Sequence, residues 1–498
     1  MSESSLPRRS VLRLAGAGLV AAPAAALGAA PAGAPVEGGN ATLVSEGGWV
    51  KFFAVQRVWG YADRTSLLPG EPLNLMVAGG PGEPERQAHL EVFRIGADGA
   101  QTLVWKSDPT RITYRPATRS AAAIGPDWPA TFAGIDTRAW PPGCYSADVV
   151  EQVTATRDVK VAQWIVRNPK RAGAVLVRLG TNTYQAYNAW GGHSLYPSED
   201  AETRGVVVSF DRPAPPSFFE YDVYLAGWLE RLAPGLGGVD YASNFDIHRD
   251  PALMDGYKLV ISASHDEYWS GEEFDAFERR ILKQGRNVAF FGGNGAYFQV
   301  RYADANRPTG GADEGRQLVC YKDAGDPVLQ RGGKLDPALL VTDLFRKDAR
   351  RPETMLMGVA FQSWFDPAGP SRFPYRVART DLPFFEGTGW RAGDAAADVV
   401  GYEWDNRDPL SDGQRLWDKA RSRNALIPAG DIQVLFQGRP VDIHGAPGLA
   451  EAVYFRSRAG AQVFSAGSIR WAWGLGKEGF VQPAFQQFNE NLVRALSR

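Results

Sequence analysis

The chain has 498 residues, of which 44% are hydrophobic and 22% are charged, as in typical soluble globular proteins. Lys and Arg number 54 and Asp and Glu number 56, so the net charge is −2 at pH 7. This composition excludes a mainly disordered chain and a multi-span membrane protein. The near-neutral balance also argues against a nucleic-acid binder that relies on a broad basic field.

The first 34 residues have the composition of an export signal. Arg8 and Arg9 precede an apolar stretch rich in Ala and Gly, and residues 30–34 offer two A-x-A cleavage sites. Paired arginines before such a stretch are typical of the twin-arginine (Tat) pathway, although an ordinary secretory signal or an uncleaved anchor is the alternative. We therefore predict a Tat signal peptide at residues 1–34 and a periplasmic or extracellular protein. No later stretch is apolar enough to predict a membrane span.

Residues 45–168 are predicted to form an all-β domain. Short strand candidates recur between turns rich in Gly and Pro, which number 55 and 34 in the whole chain. A spacing of about ten residues is typical of a β-sandwich of the immunoglobulin-like type. No motif in this region carries chemistry, so we interpret it as a support or docking module.

Strands and helices alternate after residue 170. Apolar strands are predicted at residues 174–179, 206–210, 239–241, 258–262, 287–291 and 463–467, with helices at residues 218–232, 271–284 and 482–496. This alternation predicts an α/β domain over residues 171–498 with an open, mostly parallel sheet. Residues 305–430 are rich in turn signals and are predicted to be a long insertion over the sheet.

Several common catalytic patterns are missing from the sequence. Cys144 and Cys320 are the two cysteines, which excludes a disulfide framework but leaves one bridge open. The five histidines show no H-E-x-x-H or H-x-x-x-H spacing, which argues against a common zinc site. Neither a G-x-S-x-G nucleophile elbow nor a phosphate-binding P-loop is present.

Polar and aromatic clusters follow three of the predicted strands, at residues 181–192, 265–270 and 292–295. Ligands of open α/β sheets bind beyond the carboxyl ends of the strands, so we expect these clusters to meet at one rim. His265, Asp266 and Glu267 can bind a metal or carry protons. The structural alternative is that Ser264 or Asp266 caps the following helix and that the third cluster is only a tight turn.

The same clusters belong to a set of runs with a specific order. They are Thr-Tyr-Gln-Ala-Tyr-Asn-Ala-Trp-Gly-Gly-His-Ser-Leu-Tyr at 183–196, Trp-Leu-Glu at 228–230, Val-Asp-Tyr at 239–241, His-Asp-Glu-Tyr-Trp-Ser at 265–270, Phe-Phe-Gly-Gly-Asn at 290–294, Val-Arg at 300–301, Val-Phe-Ser-Ala-Gly-Ser at 463–468 and Trp-Ala-Trp-Gly at 471–474. In these runs the chain resembles the C-terminal domain of the N,N-dimethylformamidase large (beta) subunit. The resemblance covers most of the chain after residue 170, and residues 307–431 match poorly.

The resemblance implies an α/β domain of glutamine-amidotransferase-like topology with a mononuclear Fe3+ site. Carried over residue by residue, the metal ligands are Tyr187, Glu267 and a second tyrosine. Tyr221 is the preferred match for that tyrosine, with Tyr224 as the alternative. Phenolate and carboxylate oxygens are hard anionic ligands, which suits Fe3+.

The activity implied by the resemblance is hydrolysis of a C–N amide bond in a small amide by an Fe3+-activated water. His265 and Asn294 match polar residues that flank the iron, and His265 or the nearby Asp266 would move a proton to the leaving amine. These three residues are therefore the candidate catalytic residues. The family's formamidases are cytoplasmic and pair with a small subunit, whereas this chain carries an export signal. Both a small partner subunit and a homo-oligomer stay open.

Two other interpretations stay open. In the first, a non-catalytic protein with this fold binds saccharide or cell-envelope ligands in a groove lined by tryptophans, namely Trp190, Trp269, Trp471 and Trp473. In the second, His265 and Asp266 catalyse hydrolysis without a metal. The position of Tyr187 decides between them and the iron site, because a tyrosine that packs only on aliphatic side chains cannot be a ligand.

Overall fold

The structure is a computed structural model. It describes the backbone of Leu43–Ser45 and Gly48–Val50, and then residues 57–117, 121–171, 173–196, 204–214, 217–303, 315–330, 340–367, 371–407 and 432–498. The predicted signal peptide at residues 1–34 lies outside the described residues. In the described part of the chain, no helix combines the length and the apolar composition needed to cross a bilayer.

The N-terminal part of the chain is built from strands. They are β1 Leu43–Ser45, β2 Gly48–Val50, β3 Val58–Ala62, β4 Ser66–Leu67, β5 Leu73–Gly79, β6 Arg86–Ile95, β7 Gln101–Lys106, β8 Thr110–Ile112, β9 Phe132–Ile135, β10 Gly143–Glu151 and β11 Arg157–Val166. One sheet has the order β4-β11-β10-β6-β7 with β8 beside β6, and a second has the order β3-β5-β9. Apolar residues of both sheets, such as Leu75 and Leu90, share one buried core. An immunoglobulin-like topology stays a prediction.

The rest of the chain adds strands β12 Val175–Arg178, β13 Val207–Ser209, β14 Val239–Ala242, β15 Leu259–His265, β16 Tyr268–Ser270, β17 Asn287–Gly293, β18 Phe298–Ala303, β19 Gln317–Val319, β20 Ala360–Trp364, β21 Phe373–Val377, β22 Ala395–Val400, β23 Glu403–Asn406, β24 Gln433–Gly438, β25 Ala450–Arg456 and β26 Gln462–Ser465. Nine of them form one sheet of order β14-β12-β15-β17-β26-β25-β24-β21-β22. Smaller sheets are β13-β19-β18-β16 and β20-β23.

The nine-stranded sheet is mixed, which corrects the expectation of a mostly parallel sheet. The five strands from β14 to β26 pair in parallel. The pairings from β26 to β22 are all antiparallel. Strands β21 and β22 lie within the segment that was predicted to be a turn-rich insertion. Their sequences do not show a clear strand pattern, and they are strands because they pair with each other and with β24. The fold is therefore mixed α/β with several sheets, and a glutamine-amidotransferase-like topology stays a prediction.

Helices cover both faces of the parallel half of the sheet. The α-helices are α1 Ala121–Ile124, α2 Thr181–Ala186, α3 Ser217–Glu220, α4 Asp222–Leu236, α5 Asn244–Arg249, α6 Gly271–Glu278, α7 Thr354–Met357, α8 Trp473–Gly476 and α9 Pro483–Leu496. Val175 and Val177 face the core with α4 and α9, whereas Leu176 between them faces the core with α6. A strand that is buried on both faces has apolar residues at successive positions. This continuous apolar run is the pattern by which these strands were predicted from the sequence.

The helix predicted at residues 218–232 is interrupted. Tyr221 separates α3 from α4 with φ −128° and ψ −56°, which are not helical angles. Its ring stacks on Trp473 with ring centres 5.8 Å apart. Helix α4 then continues to Leu236 and ends at Gly237, whose positive φ of 86° is typical of a helix C-terminus. Hydrophobic spacing predicted the helix but not this break, because the break depends on a partner more than 250 residues away.

Candidate functional site

The carboxyl ends of β15 and β17 lie side by side at one edge of the sheet. In their parallel register, Ser264 is opposite Gly292 and His265 is opposite Gly293. Helix α2 follows β12 at the same edge and is fixed to the β15 end, since Thr183 Oγ1 accepts a 3.0 Å hydrogen bond from the Glu267 backbone N–H. The three polar clusters of the sequence therefore meet at one rim.

The backbone at this rim is unusual. Ser264 has φ +26° and Asn294 has φ +53°, a region that residues other than glycine rarely adopt. Glycines allow the neighbouring segments to approach. A Cβ on Gly292 would lie 1.5 Å from the Ser264 carbonyl oxygen, and one on Gly180 would lie 2.6 Å from the His265 carbonyl oxygen. Strained backbone of this kind is concentrated at functional sites and aims the following side chains.

Glu267 is the centre of the cluster and is fully buried. Its Oε2 accepts a 2.8 Å hydrogen bond from Tyr187 Oη, and its Oε1 accepts one of 2.8 Å from Tyr196 Oη. The two phenol oxygens are 3.0 Å apart, and Tyr268 Oη donates to Tyr196 at 2.7 Å. Tyr187 therefore points at the carboxylate rather than packing only on aliphatic side chains.

Burial and the neighbouring carboxylates raise the pKa of two phenols near Glu267, those of Tyr187 and Tyr402. The pKa of Tyr187 is raised well above 10 by burial and then by Glu267, Tyr196 and Glu403. The pKa of Tyr402 is raised in the same way by burial, Glu403, Tyr221 and Glu267. A nearby cation favours the ionised form of an acidic side chain. A cation bound here would therefore lower these pKa values and favour ionisation of the phenols.

His265 lies between two buried carboxylates. Its Nε2 is 3.4 Å from Glu267 Oε2 and 3.5 Å from Glu403 Oε2, at ion-pair distance from both. Burial lowers the pKa of His265, but hydrogen bonds to Glu267 and Glu403 outweigh it and raise the pKa to about 9. Among these groups alone, the imidazole is therefore protonated at neutral pH and offsets part of the carboxylate charge.

Asn294 orients the second carboxylate. Its Nδ2 donates a 2.7 Å hydrogen bond to Glu403 Oε2, and its backbone N–H donates one of 2.8 Å to Asp405 Oδ1. Asn294 Oδ1 is buried and has no hydrogen-bond partner in the described part of the chain. Buried polar atoms are normally paired, so this oxygen indicates room for a donor from water or a substrate.

Tyr221 and Tyr224 differ in their surroundings. Tyr221 is buried, stacks on Trp473 and is close enough to Tyr402 to raise the pKa of that residue. Tyr224 is only half-buried and lies near Lys477, whose Nζ is 5.9 Å from the centre of the ring. Of the two tyrosines, Tyr221 is therefore the one that lies near Tyr402, and the choice between them as a ligand stays a prediction.

Asp266, predicted as a catalytic residue, belongs to a different network. Its carboxylate forms a buried ion pair with Arg178 and accepts a 2.6 Å hydrogen bond from Ser262 Oγ. Asn244 Nδ2 donates to its other oxygen at 3.2 Å. The residues of His-Asp-Glu alternate in direction, so Asp266 points away from its two neighbours. The structure therefore does not bring Asp266 to the His265 and Glu267 group, and its catalytic role stays a prediction.

The four tryptophans of the alternative interpretation do not line a groove. Their side chains are fully buried, namely those of Trp190, Trp269, Trp471 and Trp473. Trp190 packs on Trp59 and Trp471 packs on Phe485, so they belong to aromatic cores. Both cysteines are buried and free, which rules out a bridge between them.

Three residues of the site were not predicted from the sequence. Tyr196 ends the run at 183–196 but was not singled out, although its spacing from Tyr187 within one polar segment could have indicated it. Tyr402 and Glu403 follow β22 in a segment predicted to be a turn-rich insertion, and nothing local marks them. Glu403 begins β23, which pairs with β20, and Asn294 at the end of β17 holds it at the rim.

The side chains present fit a hard cation. Tyr187 Oη and Glu267 Oε2 are 2.8 Å apart, the separation expected of adjacent oxygen ligands that each lie about 2.0 Å from one ion. All donors are phenol or carboxylate oxygens, the class that Fe3+ prefers. No group of three or more His, Cys, Asp and Glu side chains suited to a metal occurs in the described residues, so a metal here would depend on tyrosines.

Comparison with known proteins identifies the family of the chain. Residues 89–485 match the family described as N,N-dimethylformamidase beta subunit-like, C-terminal. The match begins inside β6, so the family relationship extends into the N-terminal sheets and beyond the boundary expected at residue 171. No curated protein matches the sequence. Since the match covers well over half of the 498 residues, the chain belongs to the N,N-dimethylformamidase beta subunit-like C-terminal family.

Proposed function

We propose that the chain is an exported, iron-dependent amidohydrolase that hydrolyses the C–N bond of a small linear amide. The observation that supports this most directly is the buried Glu267 carboxylate, which receives hydrogen bonds from the phenols of Tyr187 and Tyr196. Burying a carboxylate is costly unless it is paired. His265 Nε2 lies 3.4 Å from this carboxylate, and a bound cation would add a further positive charge beside it. Membership of the family supports amide hydrolysis as the chemistry.

In this proposal Tyr187, Tyr221 and Glu267 hold the iron. Bound Fe3+ would supply Lewis acidity toward the oxygen of the amide carbonyl. Tyr196 donates to Glu267 Oε1, whereas Tyr187 contacts Oε2, and so Tyr196 fixes the orientation of the carboxylate. Such hydrogen bonds to ligands are known to tune both the geometry and the affinity of a metal site.

Hydrolysis requires that a water oxygen bonds to the carbonyl carbon, that the C–N bond breaks and that the nitrogen leaves with a proton. Glu403 is the group placed to accept the water proton and return it to the nitrogen, since Asn294 holds its Oε2 at 2.7 Å. His265 lies 3.5 Å from the same oxygen and stabilises its charge. The products are a carboxylic acid and an amine, which balances the reaction.

Metal analysis and visible absorption of protein purified without chelator test the proposal. We expect about one iron per chain and a tyrosinate-to-iron charge-transfer band, together with release of amine from small amides. Tyr187→Phe and Glu267→Gln should lose iron and activity. Tyr224→Phe is the matched control and should keep both. Metal-free protein that takes up no added iron, or full activity of Glu267→Gln, would contradict the proposal.

Export is part of the proposal and rests on Arg8 and Arg9 before the apolar stretch. Replacing both residues with Lys keeps the charge but removes the pair that the Tat pathway requires. We expect the full-length protein to appear outside the cytoplasm and the double variant to stay inside. Equal export of the two proteins would argue for an ordinary secretory signal.

A further inference from the structure

A cleft lies between the N-terminal sheets and the α/β part of the chain. Its walls come from β3 and the turn after it, from β10 and β11, from α2, and from the segment that follows β13. Tyr187, His265 and Glu267 are not among its lining residues. The cleft is therefore a separate feature from the tyrosine and glutamate site, and neither the family relationship nor the proposed function uses it.

The charged side chains that line the cleft are all positive. Arg64, Lys160, Arg212 and Arg316 line it, and none of the described residues that line it is Asp or Glu. Arg316 is neutralised by Asp211, whose Oδ1 lies 2.9 Å from its Nη2. Within the described part of the chain, the other three cations have no carboxylate within ion-pair distance, but Asp63 interacts electrostatically with Arg64, and Asp148 with Lys160. Neither carboxylate is among the residues that line the cleft itself, whose charged side chains are all positive.

Arg212 is the most deeply placed of these cations and is fully buried. Its guanidinium donates only to backbone carbonyl oxygens, those of Ser209, Trp190, His193 and Gln185. Carbonyl groups satisfy its hydrogen bonds but do not cancel its charge. Burial alone lowers the pKa of Arg212, to about 9, and no carboxylate among the described residues opposes that effect. An anion in the adjoining cleft would reduce this cost.

Lys160 and Arg64 stand nearer the opening and are half-buried. Lys160 has φ +56°, and its backbone N–H is fixed by a 2.9 Å hydrogen bond to Asp148 Oδ1. Its Nζ lies 4.2 Å from the centre of the Phe219 ring. Arg64 Nε is buried with no hydrogen-bond partner among the residues that the structure describes. Both cations are positioned by the fold while keeping donors for a ligand.

The remaining walls are apolar and aromatic, with Tyr61, Trp164, Phe210 and Phe218 among them. Small-molecule sites combine such walls with a few placed polar groups. We propose that this cleft binds a small organic anion, with its acidic group against Lys160 and Arg64 and its apolar body against the aromatic walls.

Calorimetric titration with benzoate tests this inference on the full protein. We expect a dissociation constant in the millimolar range or below that weakens with added salt, because screening reduces ionic attraction. Benzamide has the same shape without the charge and should bind at least tenfold more weakly. Lys160→Gln and Arg64→Gln should each weaken benzoate at least fivefold. Lys106→Gln, at an exposed lysine outside the cleft, should change nothing.

A second variant separates this site from the proposed active site. Glu267→Gln should bind benzoate as the parent protein does, even if it has lost iron and activity. Loss of benzoate binding in that variant would place the anion at Glu267 and overturn the inference. Equal binding of benzamide, no binding of benzoate, or no effect of the cleft variants would also overturn it. Inorganic phosphate has no apolar body. If it binds as tightly as benzoate, the aromatic walls do not contribute to binding, and the inference of an organic anion is overturned.

Discussion

Asn294 Nδ2 donates a 2.7 Å hydrogen bond to Glu403 Oε2 and so joins two segments that are 109 residues apart in the chain. Asn294 follows β17 in the parallel half of the large sheet, and Glu403 begins β23, which pairs with β20 in a separate two-stranded sheet. The contact closes the rim around His265 and Glu267. It is the point at which the large sheet and the β20-β23 pair contribute to one site.

Glu403→Gln should lower kcat for amide hydrolysis by at least about 100-fold while leaving iron content and the visible band intact. The substitution keeps the size of the side chain but removes its ability to carry a proton, and general acid–base groups contribute about 10²–10⁴-fold. Steady-state kinetics with metal analysis on the same preparation gives both quantities. Glu386→Gln, at an exposed position, is the control and should behave as the parent. Loss of iron in Glu403→Gln would make Glu403 a metal-site residue instead.

Asp266→Asn should destabilise the fold without a specific effect on chemistry. The change leaves the buried guanidinium of Arg178 with only Glu273, at 2.6 Å, as a charged partner among the described residues. Removing one member of a buried ion pair typically costs about 3–5 kcal/mol. Urea unfolding measures this loss. The control is Asp275→Asn, whose pair with Arg351 is exposed and should contribute less than about 1 kcal/mol. A stable but inactive Asp266→Asn would support a catalytic role.

Asp326 should make the fold sensitive to acid. Burial raises its pKa, but hydrogen bonds from Arg301, Val328 and Thr342 outweigh burial and hold the pKa below 3.8. A lowered carboxyl pKa contributes stability above the unfolded value of 3.8, and this contribution is lost as the pH falls through the folded value. The difference in unfolding free energy between the parent and Asp326→Asn should therefore be largest near neutral pH and shrink at acid pH. A pH-independent difference would contradict the assignment.

Gly292→Ala should strongly reduce stability or the yield of folded protein. The new methyl group would lie 1.5 Å from the Ser264 carbonyl oxygen, and a backbone atom in the central sheet cannot move away cheaply. Overpacking of this kind typically costs about 1–3 kcal/mol and can cost more. Gly96→Ala is the control, because the nearest atom to its added Cβ is 3.7 Å away. Equal melting temperatures for the two variants would show that the strand ends pack more loosely than these distances imply.

The sequence by itself determined the parallel half of the large sheet and the rim where polar side chains gather. Strands such as Val175–Arg178 and Leu259–His265 are buried on both faces, so their apolar runs appear directly in the sequence. Because parallel strand ends meet at one edge, the order of strands and clusters along the chain was enough to place the clusters together. Matches in those runs also indicated the family.

Only the tertiary structure decided which side chains form the site. Asp266 and Glu267 are adjacent in sequence, yet one pairs with Arg178 and the other accepts from Tyr187. Glu403 joins the site through β23, whose pairing with β20 and contact with Asn294 have no local signal in the sequence. Local patterns report periodicity along the chain, whereas the direction of a side chain at a strand end depends on backbone angles and on distant partners. For that reason, the sequence located the rim but could not assign the roles of its residues.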